Sequence, residues 1–226
     1  VGLDASAMTV TVKAGTTWRE LDEHLNPLGY AIQSYPSSAP AATIGGWFSM
    51  MGYGIGSLKY GGLLSQVRAL EVVLPAGEIR RLTRNTEPPM DWFAASEGTL
   101  GVITRLELEI RKSNPLIHFL IAFPDAGKMG RTLERVIQSP PLPYNVHFAD
   151  DRYALAMRSL GFLSPDAMPA YTLGIDYEGS PEELLQARDT IASVVGADPA
   201  IRLLPEETAE REWAEKFNAL RLKRGG

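Results

Sequence analysis

The stretch Pro36-Ser37-Ser38-Ala39-Pro40-Ala41-Ala42-Thr43-Ile44-Gly45-Gly46-Trp47 opens a segment, running to Gly62, that has neither helical nor strand periodicity. Gly45, Gly46, Gly52, Gly54, Gly56, Gly61 and Gly62 crowd into it, well above ordinary usage. Glycine admits positive φ, lets another backbone or a ligand come close, or loosens a loop. Looseness fits poorly here. Ile44, Trp47, Phe48, Met50, Met51, Ile55 and Leu58 are interleaved with the glycines, and side chains of that kind favour burial. An ordered, glycine-rich backbone presents N–H groups of the sort that form anion nests. The residues alone weigh a ligand loop and a structural glycine corner about evenly. The Rossmann fingerprint is absent: no G-x-G-x-x-G follows a strand and opens a helix.

Regular elements flank this segment. Met8 to Lys13 alternates as a half-buried strand. Thr17-Trp18-Arg19-Glu20 reads as a capping box opening a helix with Trp18, Leu21 and Leu25 on one face, stopped by Pro27 and Gly29. Ala69 to Leu74, a Pro75-Ala76-Gly77 turn and Ile79 to Leu82 predict a hairpin. Pro88 to Ser96 predicts a short helix with Trp92 and Phe93 as packing residues. From Val102 the alternation puts Val102, Thr104, Leu106, Leu108 and Ile110 on a dry face, and Ile103, Arg105, Glu107, Glu109 and Arg111 on a wet one.

Lys112 to Pro115 reads as a boundary, giving domains of residues 1–112 and 113–226. Beyond it the pattern predicts a strand (117–123), a helix (126–138), a strand pair (145–149 and 153–157) and another strand (171–177). A helix from Pro181 to Val195 follows, N-capped by Ser180, and a last one from Glu206 to Leu220. That order predicts an α+β module with helices on one face of a sheet.

Composition narrows the function classes. The chain has 226 residues, 45% of them hydrophobic, and a net charge of −5. The missing Lys/Arg excess argues against nucleic acid as a partner. The absence of cysteine removes disulfides and thiolate metal sites, and no His/Asp/Glu cluster has metal-ligand spacing. Apolar runs are too short to span a bilayer. The chain is expected to be cytoplasmic or peripheral at a membrane.

Four motifs in order resemble the FAD-linked oxidases of the vanillyl-alcohol-oxidase type, over about residues 8 to 112. They are Val12-Lys13-Ala14-Gly15 with Trp18, Glu20 and Leu21; the Pro36–Trp47 run with Gly54 and Ser57–Gly61; Leu70–Gly77; and Ser96-Glu97-Gly98-Thr99-Leu100-Gly101-Val102-Ile103-Thr104. The resemblance implies an α+β fold: an FAD-binding subdomain with a mixed sheet and flanking helices, then an α+β cap module on the substrate side. The same comparison leads to the expectation that the family's first FAD subdomain is absent here and the cap incomplete.

It also implies FAD as cofactor. Thr43, Ile44, Gly45 and Gly46 are expected to give backbone amides and close approach along the pyrophosphate and ribityl chain. Pro36 and Ala42 line the same channel, with Ser49 and Gly54 beside it. Gly98, Gly101 and Ile103 hold the adenine end, with Glu97 nearby. Met51 stands where relatives often carry Asn or Arg. The implied reaction is oxidation of a small 2-hydroxy acid such as lactate or glycolate, which needs a base, a cation for the carboxylate and the flavin as hydride acceptor. Lys59 is the candidate cation, and an exposed structural lysine is its competing reading. No base is assigned, since His24, His118 and His147 match no family motif. Other readings are a relative acting on another alcohol, one in non-redox ether-lipid synthesis, and a non-catalytic subunit that has lost flavin. The expected partners are the substrate, an electron acceptor, and a partner subunit or second copy.

Overall fold

The computed structural model describes residues 1–159 and 171–215, which form two compact units, one spanning Val1–Ser113 and the other beginning at Asn114.

In the first unit, β1 (Gly2–Asp4) and β2 (Thr9–Lys13) lead into α1 (Trp18–Leu25) and β3 (Tyr30–Ile32). The α1 helix starts where the sequence places it. Thr17 Oγ1 accepts from the Glu20 amide, and the Glu20 carboxylate accepts from the Thr17 amide at 2.7 Å. The aperiodic segment that follows is not all loop. It contains three helical turns, α2 (Ile44–Ser49), α3 (Ser57–Tyr60) and α4 (Leu63–Gln66), too short to show a period in sequence. Then come β4 (Val67–Val73), β5 (Ile79–Leu82) and β6 (Val102–Lys112).

The sheet runs β1-β2-β6-β4-β5, with β3 off this path and paired to the end of β6. A mixed sheet was expected; each pairing among the described residues is antiparallel. The α+β class stands. Trp18, Leu21, Leu25, Phe48, Leu70, Leu82, Leu106 and Leu108 form the core between helices and sheet.

Two sequence readings change in this unit. The clean alternation of β6 breaks at Thr104, where the register against β4 slips between Arg105↔Glu71 and Ile103↔Val72. The extra residue of this bulge reverses the faces. Ile103 therefore packs against the core and Val102 is 65% exposed. The helix expected over 88–96 is only a single 3-10 turn, Met90–Phe93, in which Phe93 is buried and Trp92 points outward.

The second unit begins with β7 (Leu116–Phe123), α5 (Ala126–Ile137) and β8 (Asn145–Ala149). It continues with α6 (Asp151–Ser159), β9 (Tyr171–Glu178), α7 (Pro181–Gly196), β10 (Arg202–Leu203) and α8 (Glu206–Glu215). Its sheet order is β10-β7-β9-β8. The strand expected over 153–157 is helix instead: the Asp150 carboxylate caps the Tyr153 amide at 2.8 Å and turns the chain. Helices were expected on one face only. Phe119, Ile121, Leu173 and Ile175 do pack against Val136 of α5 and Ala187 and Ile191 of α7. Leu120 points the other way and meets Ala209 of α8. The end of the last predicted helix, including Phe217 and Leu220, lies outside the described residues.

Candidate functional site

The glycine-rich corner is built by an exchange of backbone hydrogen bonds with the turn between β2 and α1. The Ile44 amide donates to the Thr16 carbonyl and the Gly45 amide to the Ala14 carbonyl, each at 2.9 Å. In return the Trp18 and Arg19 amides donate to the carbonyls of Ala42 and Ala39. The first turn of a helix has amides without partners inside the helix, and here the loop supplies them. The Thr43 side chain caps α2 by accepting from the Gly46 amide at 3.3 Å. Trp18 and Trp47 meet edge to face beneath the corner, centroids 5.1 Å apart.

This geometry revises the expected role of the amides. Those of Ile44, Gly45 and Gly46 already have acceptors within the protein, so they do not form an open anion nest. Several glycines are likewise explained by contacts inside the unit. A Cβ on Gly45 would fall 2.5 Å from the Cβ of Ala14, one on Gly52 2.2 Å from the Trp47 ring, and one on Gly54 2.4 Å from the Tyr35 carbonyl oxygen. Gly46 differs: it is exposed, and its Cβ would meet only the Thr43 hydroxyl.

The structure brings most of the expected residues together. Pro36 is buried at the start of the turn, and Ala42 and Thr43 are half-buried. Ser49 closes α2 by donating from Oγ to the Gly45 carbonyl at 3.0 Å, while its own carbonyl accepts from the Glu97 amide at 3.0 Å. That bond ties the loop carrying Glu97 and Gly98 to the glycine corner. The Gly54 amide donates to Ser57 Oγ at 2.8 Å, beside Tyr35, whose amide donates to the Ile55 carbonyl. Tyr35 and the two carbonyls of the β2–α1 turn were not singled out from sequence; no residue type marks a carbonyl acceptor. Gly101 packs against the Val73 carbonyl and Val72, next to Ile103. Lys59 lies on α3, its ammonium 5.6 Å from the Tyr60 ring, over which Arg111 also lies at 5.3 Å.

Apart from Met8, the non-glycine residues with positive φ lie close in sequence to Ser49 and Glu97, which are joined by a backbone hydrogen bond. Met51, Ala95 and Glu97 adopt φ of 51°, 56° and 51°, and Gly98 follows at 78°. Non-glycine residues in this region cost on the order of 1–3 kcal/mol each and collect at ligand clamps and active sites. They flank an exposed apolar surface of Met50, Met51 and Tyr53. A Cβ on Gly98 would meet open space. Among the described residues no group of three or more His, Asp or Glu could hold an ion.

The corner is thus a strained, glycine-lined turn locked to an antiparallel sheet. Residues 1–83 match the family described as FAD binding domain. The chain is 24% identical over 219 residues to glycolate oxidase subunit GlcD of Bacillus subtilis, covering 94% of this chain and 47% of that protein. It is 25% identical over 232 residues to a probable mitochondrial D-lactate dehydrogenase of Danio rerio, covering 97% and 46%. A solved alkyldihydroxyacetonephosphate synthase superposes with a TM-score of 0.82 at 21% identity, over 100% of this chain and 45% of that one. The chain thus spans about half the length of the relatives it matches. It resembles the FAD-linked oxidases of the vanillyl-alcohol-oxidase type, and the matched domain makes FAD its cofactor.

Proposed function

We propose that the chain is the FAD-binding part of an oxidoreductase that oxidises a small 2-hydroxy acid such as lactate or glycolate. The observation that carries this reading is coverage. Three relatives named for glycolate or D-lactate match 92–97% of the chain, through both units, and two others named for D-lactate match 46–49%. The alkyldihydroxyacetonephosphate synthases of Caenorhabditis elegans and Dictyostelium discoideum match 48% and 66% of it. The solved synthase, aligned over the whole chain, supports the second reading, a role in ether-lipid synthesis.

In this proposal Thr43, Gly46, Ser49 and Gly98 offer the exposed surface to FAD. Pro36, Ala42, Ile44, Gly45 and Gly54 hold that surface in shape from beneath. Glu97, Gly101 and Ile103 place the adenine side. Bound FAD supplies the hydride acceptor; the chain's own residues bind it, orient it and exclude water from it. Lys59, half-buried on α3, is the proposed cation for the substrate carboxylate. The substrate's electrons pass on to an acceptor outside this chain. GlcD is named as a subunit, which favours a partner subunit or second copy here. A cytoplasmic or membrane-peripheral location is part of the same reading; among the described residues no helix is long and apolar enough to cross a membrane.

The test is a visible spectrum of the purified protein with FAD added, followed by a screen of 2-hydroxy acids with an artificial electron acceptor. Flavin bands bleached by lactate or glycolate support the proposal. A protein that stays colourless with FAD, in the full-length context, overturns it. Flavin bands that no hydroxy acid bleaches shift the assignment to the second reading.

A further inference from the structure

The face of the second unit's sheet turned away from α5 and α7 carries a polar network. His118 on β7 places Nδ1 2.7 Å from Oδ1 of Asp176 on β9, a carboxylate only 2% exposed. Asn145 on β8 donates to the other oxygen of that carboxylate at 2.7 Å. His147, two residues along β8, has Nε2 2.8 Å from Oε2 of Glu212 on α8, and its Nδ1 lies 3.9 Å from Asp176 Oδ2. Trp213, the next residue of α8, stacks on His118 with centroids 4.7 Å apart and planes at 25°. Gly174 makes the layer possible, since a Cβ there would fall 2.0 Å from the His147 ring.

We propose that the two imidazoles form a proton-linked latch for α8, so that the helix docks firmly when both rings are protonated and loosens as pH rises. The helix is a poor candidate for hydrophobic docking. Its sequence, EETAEREWAE, holds five glutamates and one arginine, and Ala209 is its one buried residue, set against Leu120 and Leu204. Polar contacts therefore decide its attachment, the pattern of an element that opens at low free-energy cost. The groups around the rings are mostly acidic. Asp176 comes from β9, Glu212 from α8 and Asn145 from β8. Tyr153 of α6 is held above the ordinary phenol range by burial first, and then by Glu212 and Glu215. With neutral rings each imidazole keeps one N–H, but the positive charge between these carboxylates is withdrawn. Histidine is the side-chain type whose charge changes within the physiological range.

The measurement is hydrogen–deuterium exchange of residues 206–215 in the full chain from pH 5.5 to 8, corrected for intrinsic exchange, with α7 as internal reference. Protection of α8 is expected to fall by about tenfold or more across the range, the equivalent of a one-unit pKa difference between the docked and open helix. Protection of α7 stays level. In His118→Gln/His147→Gln, α8 protection becomes independent of pH. Glu212→Gln, a milder change, should shrink the pH effect while α7 exchange certifies the fold. Protection of 206–215 that is flat with pH in the unsubstituted chain overturns the latch. So does a pH effect that persists undiminished in Glu212→Gln.

Discussion

The Ala14 carbonyl accepts the Gly45 amide at 2.9 Å, and a Cβ on Gly45 would lie 2.5 Å from that of Ala14. This contact clamps the glycine corner onto the β2–α1 turn. Gly45→Ala therefore overpacks a buried joint and should cost about 1–3 kcal/mol of stability. Loss of bound FAD is expected to accompany it. Thermal unfolding and flavin absorbance check both. Ala14→Gly in the same chain should restore part of the loss, because the space it opens is the space the new methyl needs. Failure of that rescue would mean the clash is not with Ala14.

Gly46 separates cofactor contact from packing. It is exposed, and a Cβ there meets only the Thr43 hydroxyl, at 2.9 Å. Gly46→Ala should disturb the α2 cap by at most about 1 kcal/mol. Its effect on FAD retention should exceed its effect on melting temperature. Gly46→Asp should lose FAD altogether, since a carboxylate would face the diphosphate. Full flavin occupancy in both variants would place the cofactor elsewhere.

The capping box of α1 makes a pH-dependent contribution. The Glu20 carboxyl is held below its usual range, first by the Thr17 amide and then by the Thr17 hydroxyl. A depressed folded-state value means the contribution is fully present above the unfolded carboxyl range, near pH ~4.3. It is lost as pH falls through the lower folded value. Glu20→Gln should accordingly flatten the acid limb of the stability curve, measured by urea unfolding between pH 3 and 6. Thr17→Ala should cost about 1 kcal/mol at neutral pH.

In the second unit the Tyr177 hydroxyl is buried without a hydrogen-bond partner, and burial pushes its pKa up to about 12. A lone buried hydroxyl is costly, so Tyr177→Phe should raise stability by about 1 kcal/mol. Chemical denaturation reads this directly. A drop of similar size would show that the hydroxyl has a partner, such as a buried water. Ultraviolet titration should also lose one phenol of the highest pKa in the variant.

How much could be read in advance follows the range of the interactions. The α1 capping box, the Leu70–Gly77 hairpin and the Ser180 cap of α7 rest on residues within a few positions of one another, and they form as the sequence predicts. The α2, α3 and α4 turns escaped because four to six residues carry too little period. The Thr104 bulge escaped because register depends on the partner strand, and one extra residue turns every later side chain over. Residues 153–157 alternate plausibly enough for a strand, yet Asp150 caps them into α6.

The order of motifs from Val12 to Ile103 was enough, by itself, to indicate an FAD-linked oxidase domain, because each motif is a local backbone requirement written in glycines and small residues. Tertiary structure decided what those glycines do. Gly45, Gly52 and Gly54 make room for Ala14, Trp47 and Tyr35, contacts made by chain folding back on itself. It also brought His118, His147, Asp176 and Glu212 together from three strands and a helix. No spacing in the sequence records that cluster, because hydrogen bonds between strands depend on pairing and register, which form only when the sheet does.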